Sequence, residues 1–223
     1  MIDRDPFGLS KDVIEFKSVI EKHSLSEDET NKLVNVFRQM SLCNILVNHT
    51  QSLNHSSYIK GYIYDVLNSI ISVLELRERY MQLNFRSMVE HIARISLNKV
   101  NNGGDFDQTV RRKDFDFLKE NVNDENWSYL HNVYINACHY VHSSPQANLN
   151  VSSRFLSLMH GDCNSPRQKM ITNLFKVVSE LMRVVIKYYH NQISDIFFRN
   201  PKDLNKVMGK SLHLHYSSFL SVE

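Results

Sequence analysis

Glycine and proline are scarce, at 6 and 4 of 223 residues, less than half the roughly 12% an average chain carries. Sandwiches, barrels and doubly wound sheets need many tight turns, and those turns draw on both residues, so this composition serves such folds poorly. Cysteine is sparse too. The 3 cysteines, Cys43, Cys138 and Cys163, lie far apart and form no C-x-x-C. That argues against a disulfide framework and fits a reducing compartment. Charge of one sign is also lacking. Lys and Arg number 26 against 24 Asp and Glu, a net charge of +2, short of the basic excess with which duplex-DNA binders neutralise phosphate. Contact with RNA at a small site stays compatible with that balance. No run approaches the ~18 apolar residues of a membrane span, and MIDRDPFGLSKD has no apolar signal core. The expected location is the cytoplasm, with no membrane contact.

What is present is apolar periodicity. The chain is 42% hydrophobic, enough for a substantial core. Val13, Ile14, Phe16 and Ile20 line a first helix. Ser26-Glu27-Asp28-Glu29 has the spacing of a capping box and opens a second, whose apolar side carries Leu33, Val36, Phe37, Met40 and Cys43. A third helical segment spans about Tyr58 to Asn98, with a kink expected near Gln82 to Asn84. Asn101-Asn102-Gly103-Gly104 marks a loop. A charged helix follows over about Asp107 to Asn121, then another from Asn126 to His142, ended by Ser143-Ser144-Pro145. A long helix starts at Pro166, a favourable early position, and keeps a 3.6-residue period from Ile171 to Phe197. A short helix and tail close the chain. The expected fold is all-α: residues 1–55 as an N-terminal helical pair packed on a bundle of long antiparallel helices over 56–199, with 200–223 as the C-terminal helix and tail.

The 11 histidines raise the question of a metal. Zinc and di-iron sites converge three or four ligands, often as H-x-x-x-H, E-x-x-H or C-x-x-C, and none of these spacings occurs. No metal or cofactor is expected. G-x-S-x-G, G-x-x-x-x-G-K-[ST] and G-x-G-x-x-G are absent as well, which removes the acyl-transfer, P-loop and Rossmann signatures.

Two segments remain: Arg86-Ser87-Met88-Val89-Glu90, and Tyr134 to Pro145 with Tyr140-Val141-His142-Ser143 at a helix end. An Arg with Glu four residues on, then a helix ending in Tyr-Val-His-Ser ahead of a long helix, resembles the helical HEPN-like superfamily over roughly residues 56 to 199. Many of its members are RNases of bacterial toxin–antitoxin, abortive-infection and CRISPR defence. The resemblance implies metal-independent RNA cleavage, with His142 as general acid or base and Arg86 stabilising phosphate charge, oriented by Glu90. Such a site would place Arg86 and His142 within a phosphate's reach, roughly 5–8 Å. The family's signature is Arg, four to six residues, then His. Ala137, Asn136 and Ile135 stand where the arginine before His142 belongs. Literal matches occur at Arg86 to His91, Arg154 to His160 and Arg183 to His190. Arg154 and His160, followed by Gly161, form the alternative pair. Arg111, Arg112 and Lys113 are a candidate RNA-contacting edge.

Each of these residues also has a plain structural reading: Arg86 and Glu90 as a helix-surface ion pair, His142 as a helix-end residue, Arg111 to Lys113 as a solvated charge run. Two functions follow, an RNase or a non-catalytic scaffold or regulatory subunit that binds a protein partner. The 171–197 helix adds Leu181, Val184 and Tyr188 to its apolar stripe. That width predicts a homodimer or a hetero-complex with a defence-system partner.

Overall fold

The computed structural model describes residues 5–100, 108–147, 149 and 155–220, and every regular element among them is helical. In chain order the α-helices are α1 (Leu9–Ile20), α2 (Glu27–His49), α3 (Ser56–Leu74), α4 (Glu78–Ser96), α5 (Arg112–Asn121), α6 (Trp127–Val141), α7 (Phe155–Met159), α8 (Arg167–Phe197) and α9 (Pro201–Leu220), with short 3-10 turns at Glu21–His23 and Pro145–Ala147. The all-α expectation holds. The Ser26 capping box forms as its spacing predicts: the Glu29 amide donates to Ser26 Oγ at 3.3 Å and the Ser26 amide to Glu29 Oε2 at 2.8 Å.

Three helices end without glycine by one device. At the close of α3 the Leu76 amide donates to Val73 O and the Arg77 amide to Ser72 O, with Leu76 at φ 54°. This is a Schellman motif, normally closed by glycine because its C′ residue is left-handed. Asn98 closes α4 in the same way, and Ser143 closes α6. The break in the third segment therefore falls at Glu75–Arg77 rather than near Gln82–Asn84. The α3 terminus carries a leucine at the diagnostic position, and sequence signals for a helix stop look for Gly or Asn there. Gly161, at φ 123°, then lies against this turn: a Cβ on it would stand 2.9 Å from Leu76 Cβ. The Asp162 amide donates to Leu76 O at 3.0 Å, and the Arg77 guanidinium to Leu158 O at 2.5 Å, fixing α7 over the α3–α4 turn.

One contiguous core runs from Leu9 to Tyr216, so α1, α2 and α9 share it with the remaining helices. Its axis is α8, packed on α2, α3, α4, α6 and α9. α9 is longer than the short helix expected. It continues through a break at Gly209 (φ 70°, ψ 166°), and Leu204, Val207, Met208, Leu212 and Tyr216 are buried on both sides of that break. The broken period hid this length from sequence. The helix packs along α8. Leu181 and Val184 are buried within the chain itself, while Tyr188, the third residue that widened the stripe, stays 37% exposed.

Candidate functional site

The segments singled out by sequence lie on α4 and α6, which pack directly on each other. Three contacts set their register. Arg79 Nη2 donates to Ser143 Oγ at 3.2 Å, the Arg86 guanidinium stands 5.8 Å over the Tyr134 ring, and Ser96 Oγ donates to Glu125 Oε2 at 3.0 Å. Early α4 thus meets late α6, and the two helices run in opposite directions. The Glu125 end is the anchor. Its buried carboxylate also accepts from Trp127 Nε1 at 2.5 Å and from Lys187 Nζ at 2.8 Å, tying α4, α6 and α8 together. Burial opposes the Lys187 charge, but Asp124 and Glu125 outweigh it and hold its pKa above the usual lysine value.

Arg86 and Glu90 are brought together, 3.2 Å apart. Glu90 uses its other oxygen for Arg94, at 3.1 Å, so one carboxylate bridges two arginines a turn to either side. Burial works against the Arg86 charge, and Tyr134 with Glu90 more than offsets it, raising its pKa. Arg94 also donates through Nε to Gln108 O at 2.8 Å and lies 5.6 Å over the Tyr58 ring. Next to it, His91 Nε2 stands 3.5 Å from Asp65 Oδ2, a contact longer than a good hydrogen bond, and that oxygen has no hydrogen-bond partner. Burial, then the Arg94 charge, push the His91 pKa down to about 4, and burial pushes that of Asp65 up. His91 is accommodated because its α3 neighbour is Gly61. A Cβ there would lie 2.5 Å from His91 Nε2.

His142 is elsewhere. It is the C-cap of α6 and exposed; its backbone N–H donates to Cys138 O at 3.0 Å, and its side chain makes no hydrogen bond or ion pair among the described residues. Eight residues separate it from Tyr134, about 12 Å along the helix. Arg86 turns toward Glu90, one turn further along α4 and away from the Ser143 end. The structure joins Arg86 to Glu90, and no contact of either with His142 is found among the described residues. Of the alternative pair, Arg154 lies outside the described residues, and His160 is exposed just after α7. Arg111, Arg112 and Lys113 are all exposed at the start of α5. The Phe115 ring of that helix stacks on His131 at 4.5 Å and tilts against Tyr134 at 4.8 Å, so the basic run lies a turn from the Arg86 seam.

Sequence reasoning missed Arg79 and gave Tyr134 no role. Arg79 precedes Arg86 by two turns on one face of α4, a spacing that marks both for the same partner helix. No group of three or more His, Cys, Asp or Glu residues is arranged to hold a metal ion among the described residues. None of the described helices is long and apolar enough to cross a membrane. Compared with family models, curated proteins and solved structures, the chain matches none.

Proposed function

We propose that this chain is a non-catalytic HEPN-like subunit of a bacterial antiphage-defence or toxin–antitoxin system, an antiparallel helical scaffold that acts by binding a protein partner. The observation that carries the reading is the engagement of Arg86. Its guanidinium pairs with Glu90 and covers Tyr134, and no contact joins it to His142 among the described residues. Arg86 and His142 thus share no such contact with which to hold a phosphate between them. A surface for a partner is available on the face formed by α3 and α4. Tyr64, Leu67 and Ile71 recur at helical spacing and are exposed, Tyr64 at 68% and Ile71 at 58%. Ile71 and Tyr80 line a shallow groove of 350 Å³ beside them. Phe155, Leu156 and Met159 are also exposed on α7, which Arg77 ties to the α3–α4 turn. An amphipathic helix of the partner fits such a stripe.

The test is Ile71→Asp in the native host. Wild-type protein should elute with one stoichiometric protein partner, and Ile71→Asp should lose that partner and the defence or toxicity phenotype while keeping its melting temperature. His142→Ala should keep both. A strictly monomeric chain without a partner, or an unaffected Ile71→Asp, would overturn the reading.

One observation favours the RNase reading. Arg79 binds Ser143, placing a guanidinium one residue from the exposed His142. In that reading Arg79 rather than Arg86 faces phosphate. Arg79→Ala and His142→Ala would then each lower RNA cleavage by about 10²-fold, the usual scale of charge-stabilising and acid–base groups.

A further inference from the structure

A cleft of 540 Å³ opens between α2, α8, α9 and the start of α6, sharing no lining residue with the Arg86 seam or the exposed stripe of α3. That volume falls in the range of small-molecule sites, roughly 300–1,000 Å³. Its lining divides by chemistry. Tyr129 on α6, Phe175 on α8, and Met208 and Leu212 on α9 make it apolar from three sides. Gly209, between the two α9 residues, leaves room beside them: a Cβ there would meet nothing within 4 Å. Charge on the lining is confined to Lys176, Glu180 and Lys210. Glu180 already has a counter-charge, Arg183 Nε at 3.7 Å. It also faces α6, since burial and then the Glu180 charge raise the Tyr129 pKa. Lys176 and Lys210 are exposed and have no ion pair among the described residues. The cleft therefore combines an apolar interior with an unmatched pair of cations at its rim.

We propose that this cleft binds a hydrophobic carboxylate, a small molecule with one acid group on an apolar body. The body lies against Tyr129, Phe175, Met208 and Leu212, and the carboxylate meets Lys176 and Lys210. The two parts contribute differently. Burial of the body supplies the affinity, about 4-fold for each buried CH₂. Exposed ion pairs are weak alone, so a small anion gains too little to stay. What the lysines provide is selection: they favour an anionic head over a neutral one and fix which end of the molecule faces out. Glu180 repels the same head, so the acid group belongs at the lysines rather than against α6. The lining also favours carboxylate over phosphate. Among the described residues it carries no arginine, the side chain whose planar fork suits a multiply charged phosphate. This site stands apart from the partner-binding face of α3 and α4, and neither depends on the other.

The experiment is titration calorimetry with thermal-shift measurements on the full chain, using octanoate, naphthoate, the neutral carboxamide of each, and acetate. Octanoate or naphthoate should bind with Kd below about 1 mM and raise the melting temperature. The tighter of the two identifies the body as aliphatic or aromatic. Its carboxamide should bind about 5-fold more weakly or worse, and acetate should give no shift. Ser179→Trp, which places an indole on the α8 lining one turn from Phe175, should fill the cleft and abolish binding. Lys210→Glu, an exposed change that spares the fold, should weaken binding by about 5-fold or more. Ile71→Asp, on the α3 stripe, should bind as wild type does, which separates the cleft from adsorption to exposed apolar surface. No binding by either carboxylate, equal binding of the carboxamide, full affinity in Ser179→Trp or Lys210→Glu, or loss of binding in Ile71→Asp would each overturn the proposal.

Discussion

Glu125→Ala is the perturbation on which the α4–α6 register depends most. The carboxylate side chain is 2% exposed and receives three donors, from Ser96 on α4, Trp127 on α6 and Lys187 on α8. These three losses are unequal. Lys187 keeps Asp124 at 2.7 Å and is partly solvated, so it loses little. Trp127 is fully buried, and its Nε1–H is left with no acceptor, which costs about 1–3 kcal/mol. Ser96 and the vacated space add to this. The expected loss is about 3 kcal/mol, at the lower end of what breaking a buried charged network costs. For a chain of this size that corresponds to a melting temperature lower by about 6–12 °C. Glu125→Gln keeps an acceptor for one donor and should lose about half as much. Urea unfolding followed by far-ultraviolet circular dichroism reads both values. A loss below about 1 kcal/mol for Glu125→Ala would refute the reasoning, since it would mean Trp127 and Ser96 find other partners at no cost.

Gly61→Ala forces a Cβ to within 2.5 Å of the His91 ring and should cost about 1–3 kcal/mol as overpacking. In a His91→Ala background the obstacle is gone, and the same change should stabilise α3 by about 0.5–1 kcal/mol through helix propensity. An unchanged sign in equilibrium unfolding of the double variant would count against the contact. His91 also sets a pH dependence. Its folded pKa of about 4 lies below the ordinary 6.5, so between those values the unfolded chain binds the extra proton and stability falls as pH falls. The expected loss between pH 7 and pH 5 is about 2 kcal/mol. Asp65, with its pKa raised above 3.8, acts in the opposite sense and gains stability as pH falls, which trims this slope. His91→Gln should flatten the denaturation-midpoint profile over the window. An identical profile would contradict a buried neutral His91.

Helix identity and the main apolar faces were legible because they are periodic, and Ser26–Glu29 and Pro166 mark their helix starts by chemistry that acts within one turn. The helix ends at Leu76 and Ser143 were not legible as left-handed closures. A leucine or serine at C′ is tolerated only where tertiary contacts, such as Gly161 against Leu76, hold it. The length of α9 was hidden for a related reason: Gly209 resets the helical phase. That helix packs on α8, and of the residues that had suggested a second copy Leu181 and Val184 are buried while Tyr188 stays exposed. At the candidate site the Arg86–Glu90 pair could be read from its spacing, because i and i+4 side chains meet on any helix. The partners of Arg86 and His142 depend on the register of α6 against α4. That register is set by Glu125, a residue with no motif of its own, whose role appears only once three helices meet around it.

The separation of Arg86 from His142 is tested most directly by RNA. Purified full-length chain, at micromolar concentration with excess EDTA, is incubated with end-labelled transfer RNA and single-stranded RNA, and the products are resolved on denaturing gels. The account predicts intact RNA from wild-type protein, indistinguishable from Arg86→Ala and His142→Ala. Cleavage by wild-type protein that disappears in both variants would contradict it, and would place the two residues in one working site.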